Sequence, residues 1–206
     1  MSYKYCFKSI LVGNSNSGKT SLLNTLINNN FDFEHQPTIG VGFNMKIFNL
    51  KNNNSVKLQI WDTAGLERFN SITRAYFKKS TIVFIVYDVS DRESFEDVKS
   101  WYNMIKSECH NKTFITLIGN KNDILKRQVS YQEGKDLANL LNKNILFFET
   151  SAVSDKDIDK IFVNSINKVI KEIDELSEIE KNEIGIKEIK DNLLTIEDEG
   201  ICCSIM

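Results

Sequence analysis

Two stretches of this chain, Ile82–Val86 and Phe114–Ile118, are apolar at nearly every position over the length of a strand. A strand with one wet face alternates apolar and polar residues. One that is apolar throughout is buried on both faces, which happens where helices cover both sides of a parallel sheet. The two stretches are the apolar parts of two of six runs of strand length rich in Ile, Val, Phe and Leu: Phe7–Val12, Val41–Leu50, Val56–Asp62, Ile82–Asp88, Phe114–Asn120 and Ile145–Thr150. Helical patterns fall between the runs, over Lys19–Asn29, about Ser71–Lys79, Ser94–Cys109, Ser130–Leu141 and Asp155–Lys171. Ser94 and Ser130 are N-cap candidates, each with an acid three residues on, and Asp155 opens the last helix. Only Lys51–Ser55 joins Val41–Leu50 to Val56–Asp62. That is too short for a crossover, so this pair is antiparallel. The expectation is an α/β fold: a six-stranded, mostly parallel sheet with one antiparallel edge strand and helices on both faces.

The 206 residues suffice for a substantial core. Their net charge of −2 conceals an asymmetry. Residues 1–170 carry 22 Lys and Arg against 17 Asp and Glu, whereas residues 171–206 carry four against eleven. No basic cluster is interleaved with aromatics, so nucleic acid is not an expected partner. Four scattered cysteines do not make a disulfide frame, and a reducing, intracellular compartment is the expectation. No apolar run reaches 18 residues, and the N-terminus lacks the apolar core of a secretory signal. After Lys171 the helical pattern fades, and Gly185 and the acids beyond it predict a loose tail. The expected division is therefore a domain over 1–172 and a flexible acidic tail over 173–206.

Gly13-Asn-Ser-Asn-Ser-Gly18-Lys19-Thr20 follows the first run and opens the first helix. Phosphates are polyanions. A glycine-bearing loop brings backbone N–H groups close to them, the helix N-terminus adds a favourable dipole, Lys19 supplies a point charge, and the Thr20 hydroxyl suits Mg²⁺. The candidate phosphate-binding residues are Ser15, Asn16, Ser17, Gly18, Lys19, Thr20 and Ser21. This motif by itself names only a nucleoside triphosphate. Trp61-Asp-Thr-Ala-Gly65 ends the third run and places Asp62 to hold Mg²⁺ through water, with the Gly65 N–H near a γ-phosphate. Asn120-Lys121-Asn-Asp123 ends the fifth. The Asp123 carboxylate can accept from N1–H and the exocyclic amine of guanine and would repel the acceptor N1 of adenine. The Lys121 stem can lie along the purine face. Thr150-Ser151-Ala152, after the sixth run, can bring a further N–H to the guanine oxygen.

The series GNSNSGKT, Pro37–Gly40, Trp61–Phe69, NKND and TSA, in this order, resembles the Ras superfamily of small GTPases and hence the P-loop NTPase fold. Ile39–Phe43, Trp61–Phe69, Thr73–Ser80, Phe84–Ser90 and the terminal cysteine pair resemble its Rab family, which acts in membrane traffic. The resemblance spans about residues 7–171. It implies that Phe31 stacks on guanine and that Thr38 ligates Mg²⁺ and senses the γ-phosphate, beside Thr20 and Asp62. It also implies that Lys19, Thr38, Gly65 and the residue at 66 serve hydrolysis. Residues 31–43 and 63–79 are then switches, read by an exchange factor, a GTPase-activating protein, a GDP-dissociation inhibitor and effectors.

The sequence also departs from the family pattern. Leu66 stands where the water-orienting glutamine is usual, so hydrolysis of GTP is expected to be slow. The alternative is a binding module that stays loaded with GTP. Val153 replaces a lysine, Gly42 an acid, and Asn16 and Ser17 the commoner Gly and Val. An ATPase or kinase reading lacks any adenine-specific feature, and residue 2 is Ser, not the acceptor glycine of an Arf-like protein. Cys203-Ser-Ile-Met206 has the form of a prenylation signal, and Cys202 offers a second acceptor. The expected location is the cytoplasmic face of endomembranes, lipid-anchored, with a cytosolic pool.

Overall fold

A computed structural model of the chain describes residues 3–31, 40–50, 55–63, 75–154 and 158–189. Within them lie strands β1 (Tyr5–Val12), β2 (Val41–Asn49), β3 (Ser55–Thr63), β4 (Ile82–Asp88), β5 (Phe114–Asn120), β6 (Leu146–Glu149) and β7 (Lys187–Glu188). The helices are α1 (Lys19–Asn28), α2 (Arg92–Glu96), α3 (Val98–Glu108), α4 (Tyr131–Leu141), α5 (Ile158–Glu172) and α6 (Glu178–Glu183). The sheet order is β2-β3-β1-β4-β5-β6. β3, β1, β4, β5 and β6 run parallel, and β2 joins β3 antiparallel at the edge, Val41 opposite Thr63. All seven residues of β4 are buried, as its unbroken apolar run requires. One face of the sheet packs α1 and α5 through Leu22, Leu23, Leu26, Phe162 and Ile166. The other packs α3 and α4 through Trp101, Ile105, Leu137 and Ala138. No helix among the described residues is long and apolar enough to cross a membrane.

The single helix expected over Ser94–Cys109 is two, broken at Asp97, and it starts earlier. Asp91, not Ser94, is the N-cap, its carboxylate accepting from the Glu93 N–H at 3.0 Å. Ser94 is buried in the first turn, where its hydroxyl accepts from the Asp88 N–H and donates to the Asp91 carbonyl. Ser130 does cap α4, with a reciprocal box to Glu133. The expected helix start at Asp155, and residues 71–74 of the helix expected about Ser71–Lys79, lie outside the described residues, while residues 75–77 are helical.

The larger correction concerns the segment after Lys171, expected to be loose from residue 173. Residues 173–189 instead fold back on the domain. Ile173, Leu176, Ile184 and Ile186 are buried, the Thr81 hydroxyl donates to the Ile184 carbonyl at 2.7 Å, and His110 pairs with Glu183 at 2.9 Å. β7 then adds antiparallel to the start of β1, Glu188 opposite Tyr5, below the point where β4 begins to pair. Gly185, read as a breaker, is a close approach: φ is +69°, and a Cβ would sit 2.1 Å from the Lys79 carbonyl oxygen. β7 is thus a seventh strand beyond the six expected.

Candidate nucleotide site

Parallel strands share a direction, so β1, β3, β4, β5 and β6 deliver their C-terminal ends to one edge of the sheet. From β1 the chain passes to β2 and β3 on one side and then crosses to β4 on the other, and the crevice above such a reversal is where α/β sheets bind ligands. The 13–20 loop stands on β1 there. Gly13 has φ +142°, and a Cβ on it would come within 2.0 Å of the Val86 carbonyl oxygen. Asn16 and Gly18 are left-handed, at φ +62° and +88°. Gly18 precedes α1 with no side-chain cap, and no acid lies in the first turn. The helix N-terminus is therefore left for an anion, not a neighbouring carboxylate.

Lys19 is buried, and its Nζ donates to the carbonyls of Gly13 and Asn14, both at 2.9 Å. Thr20 Oγ1 donates to Asp62 Oδ2 at 2.6 Å, which joins the loop to the end of β3. A hydroxyl beside a buried carboxylate is a hard-oxygen pair of the kind that Mg²⁺ takes together with phosphate oxygens and water, so Thr20 and Asp62 fit that ion. Ser15 and Asn16 are exposed at the loop tip, Ser17 is buried, and Ser21 is half-buried in the first turn of α1.

Asn120 ties three motifs together. Its Nδ2 donates to the Ser17 carbonyl at 2.9 Å, and its Oδ1 accepts from the Ala152 N–H at 3.3 Å. A Cβ on Gly18 would lie 2.3 Å from that Nδ2, so glycine is what lets the asparagine close on the loop. Lys121, left-handed at φ +62°, passes over Gly18 and pairs with Asp88 Oδ2 at 2.7 Å. The other Asp88 oxygen accepts from the Ser90 N–H and hydroxyl. Asp123 is exposed in the following turn, whose Asn122 N–H donates to the Thr150 carbonyl. Ser151 is buried, its hydroxyl accepting from the N–H groups of Val153 and Ser154. Phe31 and Val153 line a cavity of about 440 Å³ between the end of α1 and the start of α5. Thr38, Gly65, Leu66, Cys202 and Cys203 lie outside the described residues.

Reading the sequence missed Asp88, which holds Lys121, and Asn14, whose side chain reaches Asp97 and Trp101. Asp88 had a signal, an acid at the C-terminal end of a buried strand. Asn14 had none, because its partners are more than eighty residues away.

Beside the edge, Phe43, Trp61 and Tyr76 form an aromatic row with centroid separations of 4.8 and 5.2 Å, and Phe43 is 38% exposed. Gly42 pairs with Asp62 across the β2–β3 ladder, and a Cβ on it would make only ordinary contact, so the small residue is not forced by crowding.

A phosphate loop on the first strand of a sheet with this order, followed by a Thr–Asp pair and an Asn–Lys–Asn–Asp turn, defines a class, the P-loop nucleotide-binding α/β proteins. The family model described as "Ras family" matches residues 8–171, and the chain belongs to the Ras family of small GTPases. Several of its relatives are named as Rab proteins. The Ras-related protein Rab-2B of Dictyostelium discoideum is 40% identical over 174 residues, 84% of this chain and 85% of the relative. RabC of the same organism is 40% identical over 164 residues, covering 79% and 83%. Its Rab-4 is 35% identical over 184 residues, covering 89% and 88%.

Proposed function

We propose that this chain is a guanine-nucleotide switch of membrane traffic, lipid-anchored to the cytoplasmic face of an endomembrane, and that it hydrolyses GTP slowly. The observation that carries the reading is the bridging by Asn120, which holds the phosphate loop, the NKND turn and the TSA loop as one unit. Lys19, the loop amides and Thr20 meet the phosphates, and Asp123 reads the base. Bound Mg²⁺ would neutralise phosphate charge between Thr20, Thr38 and Asp62. Phe31 covers the base from the α1 side. The exposed aromatic row at Phe43 supports recognition of the switch faces by effectors, regulators and the GDP-dissociation inhibitor, since a partly exposed aromatic cluster offers area without charge.

The test is to extract and identify the nucleotide bound to the purified chain, then compare GTP and ATP affinities. Retained GDP supports a cycling switch, retained GTP one that stays loaded, and equal binding of GTP and ATP overturns the reading. In Asp123→Asn the amide can donate to the carbonyl that replaces the exocyclic amine in xanthine. Preference should move to xanthine nucleotides, with roughly 2–4 kcal/mol of GTP affinity lost.

A further inference from the structure

Lys19 is aimed by two carbonyls, and one of them belongs to Asn14, whose side chain is bolted to another part of the fold. Asn14 Nδ2 donates to Asp97 Oδ2 at 2.7 Å, and its Oδ1 accepts from Trp101 Nε1–H at 3.0 Å. Its backbone carbonyl accepts from Lys19 Nζ at 2.9 Å and from the Ser17 N–H at 3.2 Å. One residue thus links the loop's cation to the break between α2 and α3.

Asp97 occupies that break, the C-cap of one helix and the N-cap of the next. Aspartate is among the strongest N-caps, yet this side chain makes no cap hydrogen bond to α3 and reaches the loop instead. Trp101 sits one turn on, 1% exposed, where packing fixes the direction of its N–H. Both partners are therefore anchored from below, and the amide between them sets the orientation of the Asn14 peptide.

We propose that Asn14, Asp97 and Trp101 form a clamp that positions the Lys19 cradle and thereby sets how slowly bound guanine nucleotide leaves. Asp97 and Trp101 act through Asn14, as positioning residues, and the α2–α3 break becomes a point from which displacement of the helices loosens the phosphate loop. The inference rests on the nucleotide-binding reading above.

The experiment measures release of a fluorescent GDP analogue from the full chain with Mg²⁺ present, and the thermal midpoint of each variant. Asn14→Asp sets two carboxylates against each other and should speed release roughly tenfold or more. Adding Asp97→Asn restores one donor and one acceptor in reversed order, leaves the Trp101 bond, and should return release to within about twofold of the unmutated rate. Trp101→Phe removes the donor and leaves a small cavity beside the retained phenyl ring, and should speed release about fivefold even if Asn14→Asp fails to fold. A residue that only stabilises the fold would lower the midpoint and leave the release rate unchanged. Release at the unmutated rate in Trp101→Phe, or a double variant as fast as Asn14→Asp, overturns the clamp and leaves the nucleotide reading intact. An unmutated chain that binds no guanine nucleotide overturns both.

Discussion

A leucine at position 66 has neither donor nor acceptor with which to hold an attacking water or answer an arginine finger. On the proposed reading the loop amides, Lys19 and Thr20 carry binding, so a change at residue 66 is expected to bear on hydrolysis alone. Leu66→Gln should raise single-turnover hydrolysis and open the ~10³–10⁵-fold stimulation that an arginine finger supplies, with GTP affinity nearly unchanged. If the unmutated chain already hydrolyses as fast as the glutamine variant, another group orients the water. Tyr87 is a second residue whose chemistry runs against its surroundings. Its phenol is buried, burial pushes its pKa far above the usual range, and its hydroxyl has no hydrogen-bond partner among the described residues. Removing an unpaired buried hydroxyl relieves a desolvation cost, so Tyr87→Phe should leave stability unchanged or raise it by up to ~1 kcal/mol in a denaturant titration. A loss of more than this would mean that the hydroxyl has a partner.

At the scale of elements, two capping boxes can be probed independently. Glu133 in the α4 box also meets Arg92, which with Ser130 holds its carboxyl down to about 2. A lowered carboxylate pKa adds stability that is whole above the unfolded value near 4.5 and drains as pH falls toward 2. The difference in thermal midpoint between the unmutated chain and Glu133→Gln should thus be constant at neutral pH and close over that acid window. The α6 box is closed by Ser177 and Glu180. Ser177→Ala should cost about 1 kcal/mol if the folded-back segment belongs to the cooperative unit, and nothing if it does not. β1 to β6 were legible to within two residues because hydrophobic period and length are local properties. The phosphate loop was legible because it lies between its own strand and helix. The fold-back was not, since Ile184 and Ile186 bury their apolar surface against a sheet end that no local pattern reveals. The competition between Asp91 and Ser94 for the α2 cap was likewise settled by tertiary structure, through the bond of Ser94 to β4.

Taken whole, the molecule has two poles. The C-terminal strand ends carry the phosphate loop, and β7 closes the N-terminal end of β1, with the Ile189 N–H on the Lys4 carbonyl. One lipid chain anchors only weakly, and the residues Thr195–Ile201 before the cysteines carry acids that an anionic leaflet repels. Prenyl groups on both Cys202 and Cys203 are therefore expected, with near-complete release to the cytosol when either becomes Ser. A singly modified tail in the mass spectrum of membrane-bound protein would refute this.

The pairing of β7 with β1 also imposes an order in time. Tyr5 and Cys6 leave the ribosome well before their partners Glu188 and Lys187, which lie at the far end of the described residues. At roughly 5–20 residues per second, the lower half of a central strand waits about 10–35 s for its neighbour. Throughout synthesis it presents an open hydrogen-bonding edge, the feature by which nascent chains pair with the wrong strand. The closing strand is a final stitch, and a chain interrupted before residue 187 would leave that edge open for good.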